Sequence, residues 1–234
     1  MLSNMVNIID IEKEYKDRLE KLWNNTKSGL DSSHPAYKSI ERGYAIERSI
    51  ERESILFIGM NPSFKEGAWN NGISTQSVFY EIPKQLTANK KETNPFFRAI
   101  NAFYDGLKCP NKPPLAHHDF LFIRETNQKA VIDWKEKQLI LDDFFKAQMT
   151  ISKEIIIKTN PILVVVLNAG ARILFKELFG ECELDSKIGA RIYCFNDKKI
   201  PVLFSGMLSG QRALDLGSQE SLKWHIEYIL KQIP

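Results

Sequence analysis

The chain has 234 residues, 43% of them hydrophobic and 26% charged, and its 32 Lys and Arg against 29 Asp and Glu leave a net charge of +3. These proportions exclude a disordered or collagen-like polypeptide and describe a globular protein long enough to bury roughly 70% of its unfolded surface. So small a net charge neither demands a polyanionic partner nor excludes one.

The three cysteines, Cys109, Cys182 and Cys194, lack the paired spacing of a zinc or iron–sulfur site, so the expectation is a reduced interior with no metal cluster and no cofactor. Residues 1–10 carry no basic segment followed by an apolar stretch. The longest apolar run, 162–167, falls far below the roughly 20 residues that span a bilayer. A cytoplasmic protein that does not enter a membrane is expected.

Ile8, Ile11, Tyr15, Leu19, Leu22 and Trp23 recur at three- and four-residue spacing among charged residues, which predicts an amphipathic helix over 7–27. Residues 26–35, with Gly, Ser, Asp and Pro, end it, and 37–52 reads as a second, charged helix. Residues 1–50 are thus expected to be a helical extension packed on a single domain. The run Ser54-Ile55-Leu56-Phe57-Ile58 is short, apolar and bounded by turn residues, the pattern of a buried parallel strand. It empties into Gly59-Met60-Asn61-Pro62-Ser63. The carboxyl edge of an open α/β sheet is where ligands bind, and there Gly59 permits close approach, Pro62 stiffens the turn, and the Asn61 amide both donates and accepts.

Residues 63–94 read as a long loop with aromatics at Phe64, Trp69, Phe79 and Tyr80, suited either to stacking a flat ligand or to anchoring the loop. Asn94-Pro95 opens a helix over 94–104, and 108–118 is a Pro-rich connection carrying His117 and His118. Adjacent histidines point to different sides of any regular element and make a poor metal pair. Residues 119–123 read as the second strand, ending in the polar cluster Arg124 to Gln128.

A helix over 139–158 stops at Asn160-Pro161 before the third strand, 162–167. Asn168 to Ala171 turns into a helix reaching 179. Strands at 191–195 and 201–205 follow, and the last empties into a third polar loop, 205–212, before a closing helix with Leu222, Ile226, Ile229 and Leu230 on one face. Strands alternating with helices predict an α/β fold, a three-layer α/β/α sandwich around a central four-stranded, mainly parallel sheet. Three polar clusters at strand carboxyl ends then converge on one cleft.

These residues carry a resemblance. Strand-Gly59-Met60-Asn61-Pro62 resembles the first motif of the uracil-DNA glycosylase superfamily, in the Gly-x-Asn-Pro form of its single-strand-selective and mismatch-specific members. The helix from Asn94-Pro95-Phe96-Phe97, the second strand, the strand–turn–helix from Pro161 to Ala171 and the final strand with its polar loop occur in the family's order. The resemblance spans about residues 50–234, with only the first motif close in letters.

It implies an enzyme that flips a base out of DNA, stacks it on an aromatic, reads its edge, and hydrolyses the N-glycosidic bond with water. Asn61 would hold the water through its side-chain carbonyl, and Trp69 or Phe79 would take the stacking role. Gly59, Met60 and Pro62 would shape the pocket, and Arg124 or Asn127 falls in the neighbourhood of the base reader. The family's second motif reads His-Pro-Ser or Asn-Pro-Ser, whereas here the stretch is Ser205-Gly206-Met207-Leu208-Ser209-Gly210. In it Ser205 would donate to the base, Met207 or Leu208 would wedge into DNA with Ser209 beside them, and Gln211 or Arg212 would meet a phosphate.

Two functions follow for test: a monomeric base glycosylase of altered specificity acting on DNA, or a non-catalytic relative that binds nucleic acid, nucleotide or a partner protein in the same cleft.

Overall fold

A computed structural model describes residues 7–64, 76–81, 94–195, 197–210 and 213–233. In chain order its elements are β1 (Ile8–Asp10), α1 (Ile11–Gly29), α2 (Tyr37–Glu41), β2 (Ala45–Glu47), β3 (Ser49–Glu51), β4 (Ile55–Gly59), β5 (Val78–Tyr80) and α3 (Pro95–Asp105). There follow β6 (Leu115–Asp119), α4 (Gln128–Lys137), α5 (Asp142–Thr159), β7 (Leu163–Leu167), α6 (Ala169–Phe179), β8 (Leu184–Asp185), β9 (Ala190–Phe195), β10 (Lys198–Ser205) and α7 (Leu216–Gln232).

The main sheet has six strands in the order β6-β4-β7-β10-β9-β8. The first four run parallel, and β9 and β8 extend the sheet antiparallel. The sheet thus has six strands where four were expected: 191–195 and 201–205, both read as strands, are β9 and β10, and the short edge strand β8 was not anticipated.

Residues in the parallel strands are apolar without interruption because both faces are covered, and side-chain alternation divides them between two cores. Leu56, Ile58, Val164 and Val166 face a core with Tyr15, Leu19 and Trp23 of α1, Phe144 and Ile155 of α5 and Phe175 of α6. Ile55, Phe57, Leu163 and Val165 face the other, with Ile100 and Phe103 of α3 and Ile226 and Ile229 of α7. Helices thus form a layer on each face. The first helix shares the same core as the sheet, so it stabilises the domain rather than decorating it.

Three expectations change. Residues 37–52 are not one helix: α2 is a single short turn, β2 pairs parallel with β5, and β3 pairs antiparallel with β1. Residues 63–94 are correspondingly not structureless throughout, since β5 lies among them. The second strand is 115–119, so His117 and His118 are strand residues; the apolar stretch 120–123 prolongs it, with Phe120 N donating to Gly59 O at 3.2 Å and Leu121 N to Met60 O at 2.9 Å.

The path of the chain explains where the site falls. It leaves β4 through α3, on one face, to reach β6 on one side. It returns through α5, on the other face, to reach β7 on the opposite side of β4. Right-handed crossovers in opposite directions use opposite faces, and the loops after β4 and β7 diverge at that reversal, opening a crevice at the carboxyl ends.

Candidate functional site at the carboxyl edge of the sheet

Asn61 lies two residues beyond the end of β4 and is 7% exposed. Its Nδ2 faces the carbonyls of Glu125 at 2.7 Å, Ile123 at 3.2 Å and Pro62 at 3.2 Å. An environment of carbonyl oxygens accepts only a donor, which assigns the amide orientation. The opposite atom, Oδ1, is buried without a hydrogen-bond partner among the described residues. A pinned amide with a vacant acceptor suits a role of orienting a ligand proton.

The neighbouring loop is held as firmly. Pro62 O accepts from Glu125 N at 3.0 Å, and Phe64 N donates to Thr126 Oγ1 at 3.2 Å. The guanidinium carbons of Arg42 and Arg124 lie 4.1 and 5.1 Å from the Phe64 ring centroid. Arg42 also meets Glu125 at 3.2 Å, and Ser39 Oγ donates to Glu125 at 2.6 Å. Despite burial, the backbone amides of Asn127 and Thr126, Ser39 and the Arg42 charge hold the Glu125 carboxyl below its ordinary value.

A second polar group lies beside Asn61 on β6, where sequence reading placed a connection. His117 and Asp119 alternate onto the same face of the strand, opposite Phe57 and Gly59 of β4. Both ring nitrogens of His117 are buried without a hydrogen-bond partner among the described residues, Nε2 stands 3.7 Å from Asp119 Oδ1, and Phe96 and Phe97 approach the ring edge-on at 5.2 and 5.4 Å. Burial, with the adjacent His118, pushes the His117 pKa down to about 3. Burial, and then the Glu47 carboxyl, pushes that of Asp119 well above the carboxylate range. Both groups therefore favour their neutral forms, and their contact is not an ion pair.

His118, on the other face, is a structural counterpart. Its Nδ1 meets Glu47 of β2 and its Nε2 lies 2.9 Å from Ser152 Oγ of α5, all three wholly enclosed. The acid–His–Ser order resembles a nucleophilic triad, but no substrate reaches it. It joins β2, β6 and α5 through satisfied buried polar atoms.

The remaining candidates divide by their surroundings. Gly59 ends β4 and is buried, and Met60 packs so closely on Gly170 that a Cβ there would lie 2.5 Å from its Sδ. Arg124 is buried, and its Nη1 donates to Arg42 O at 3.0 Å and Gln76 O at 2.9 Å, so it anchors loops instead of presenting its charge to a base. Asn127 caps α4, accepting from Ala130 N at 3.2 Å, which accounts for its side chain. Phe79 belongs to β5, half-buried and edge-on to Tyr44 at 5.5 Å, a core contact in place of the expected stacking platform. Trp69, Gln211 and Arg212 lie outside the described residues.

Ser205 ends β10 and its carbonyl accepts from Asn168 N at 2.9 Å. Met207 Sδ accepts from Asn168 Nδ2 at 3.3 Å, while Ser209 is half-buried. Leu208 is only 4% exposed within the core beneath α3 and α7, which corrects its reading as a free wedge. The structure thus brings Gly59, Asn61 and Pro62 together with the 123–125 backbone, and adds His117 and Asp119. The signal for those two was their spacing of two residues, hidden by Pro113 and Pro114 just upstream.

A separate groove of about 850 Å³ lies between the β8–β9 turn and α7, lined by Lys187, Glu220, Trp224 and Tyr228 among others, and shares no residue with the site. No group of three potential metal ligands, and no helix long and apolar enough to cross a membrane, occurs among the described residues.

Fold and site together define an α/β protein with helices on both faces of a mostly parallel sheet and a buried polar site at its carboxyl edge. Compared with known proteins, the chain matches no family model and no curated sequence.

Proposed function

We propose that the protein is a DNA base glycosylase, hydrolysing the N-glycosidic bond of a flipped uracil or other damaged base, on a uracil-DNA glycosylase-like sandwich. The observation that carries the reading is the Asn61 amide, with three carbonyls on its nitrogen and a buried, vacant oxygen. That oxygen accepts a hydrogen bond from a water and aims it at the anomeric carbon, an orienting role for a group too weak to act as a general base. The transition state is an oxocarbenium-like sugar with a departing base, so placement of water and of dipoles accounts for most of the catalysis. The location of the Asn61 loop at the reversal of strand order supports the same reading.

A second reading, binding in the same crevice without chemistry, draws on the loop after β10. There the strand ends on Ser205, Leu208 is buried, and Met207 is engaged by Asn168. The test is base release from single- and double-stranded oligonucleotides carrying uracil, hypoxanthine, xanthine or alkylated bases, for the parent and Asn61→Ala. Release by the parent and its loss in the variant is expected. Binding by the parent with no release from any substrate would overturn the enzyme reading in favour of the second.

A further inference from the structure

Asp119 and His117 take no part in the positioning of water by Asn61, yet both are buried polar groups at the same sheet edge. Gly59 lies directly opposite Asp119, and the carboxyl fills the volume a side chain at 59 would take: a Cβ there would stand 2.0 Å from Asp119 Oδ1 and 3.4 Å from His117 Nε2. The His117 side chain is wholly buried, whereas that of Asp119 keeps 9% of its surface open. Apart from the 3.7 Å approach to His117, the Asp119 carboxyl has no hydrogen-bond partner among the described residues. Among the described residues, the charged or titratable groups that face it are His117, Glu47 of β2 and Tyr80 of β5, whose hydroxyl lies 3.5 Å from Glu47. None of these is a cation that would draw a carboxylate into place.

Because β4 and β6 remain hydrogen-bonded past Gly59 and Asp119, Asp119 lies level with a residue two before Asn61, about 7 Å along the strand direction. A purine whose sugar carbon faces the Asn61 water carries N7 in the ring next to that carbon, so its N7 edge can be turned toward Asp119.

Resting on the glycosylase reading, we propose that Asp119 is the proton donor to the departing base, that His117 is its positioning residue, and that the substrate class is a purine-type base. A purine leaves readily once protonated at N7, whereas uracil leaves as a stable anion and needs no acid. The step balances without a co-reactant. The water oxygen bonds to the anomeric carbon as the carbon–N9 bond breaks with its electron pair going to the base. Asp119 gives its proton to N7, and the proton lost by the attacking water returns to the carboxylate. While Asp119 is ionised, an Nε2–H of His117 turns toward Oδ1 to donate a hydrogen bond. Burial that favours a protonated carboxyl keeps the acid loaded between turnovers.

The leaving group provides the test. Single-turnover release is measured from oligonucleotides carrying hypoxanthine, uracil and 7-methylguanine, the last already cationic and in no need of a proton. The proteins are the parent, Asp119→Asn and Asn61→Ala, each checked by circular dichroism. General acid catalysis contributes roughly 100- to 10,000-fold, so Asp119→Asn is expected to lose at least about 100-fold on hypoxanthine. The same variant keeps 7-methylguanine release within a few-fold of the parent, which a merely structural defect would not allow. Equal losses on both substrates, or no loss on hypoxanthine while Asn61→Ala is inactive, would overturn the acid assignment and leave the glycosylase standing. Uracil released faster than hypoxanthine would overturn the substrate class. No release of any base by the parent would overturn the glycosylase reading and this inference with it.

Discussion

Gly59→Ala tests the packing on which the site depends. The added methyl would lie 2.0 Å from Asp119 Oδ1, well inside van der Waals contact, with Asp119 Cγ at 3.2 Å and His117 Nε2 at 3.4 Å. The backbone on both sides is paired strand, with Phe120 N on Gly59 O, so relief must come from the Asp119 side chain. Overpacking of a buried site costs about 1–3 kcal/mol, and displaced polar atoms add to it. The expected loss is therefore about 2–3 kcal/mol, which for a chain of this size lowers Tm by roughly 4–12 °C. Urea unfolding followed by tryptophan fluorescence gives the free energy, and the decisive comparison is a double-mutant cycle. With Asp119→Ala the obstructing Oδ1 and Cγ are gone, so Gly59→Ala should cost less than about 0.5 kcal/mol there, a coupling of at least about 1 kcal/mol. Equal costs in both backgrounds would refute the reasoning, because the clash would then lie elsewhere.

Ser152→Ala leaves His118 Nε2 buried without its 2.9 Å partner and is expected to cost about 1–3 kcal/mol in urea unfolding. His117 supplies a pH dependence. With a folded pKa of about 3 against an ordinary 6.5, the unfolded chain holds the extra proton between those values, so the stability this residue contributes is complete above about pH 6.5 and falls as pH drops toward 3. Asp119, protonated in the fold, slopes the other way and loses stability as pH rises from its ordinary 3.8. His117→Leu should accordingly flatten the acid limb of stability measured between about pH 7 and about pH 4. Asn127→Ala removes the cap on α4 and should cost about 1 kcal/mol, restored by Asn127→Asp, whose carboxylate caps equally well.

Local signals made much of the architecture legible. The runs at 55–58 and 162–167 read as buried strands because a strand covered on both faces must be apolar at every position. Asn94-Pro95 marked the start of α3 correctly, since the Asn94 side chain accepts from Phe96 N and a proline at the first helical position gives up no hydrogen bond. The Asn61 loop was recognisable for the same reason: a strand breaking into Gly, Asn and Pro states its own end.

Tertiary contacts decided the rest. Residues 45–51 have enough charge to read as helix, but β2 finds β5 more than 30 positions later, and Glu47 is buried because His118, 71 residues away, receives it. Likewise His117, His118 and Asp119 look too polar for a buried strand until β4 supplies the ladder, Ser152 a hydroxyl and Gly59 an empty volume. By itself the amino-acid order determined where the chain must be apolar and where it must turn. Which polar groups are enclosed, and which of them keep a vacant atom at the sheet edge, followed only from pairing across the fold, because a buried polar side chain is tolerated by its distant partners and not by its neighbours in sequence.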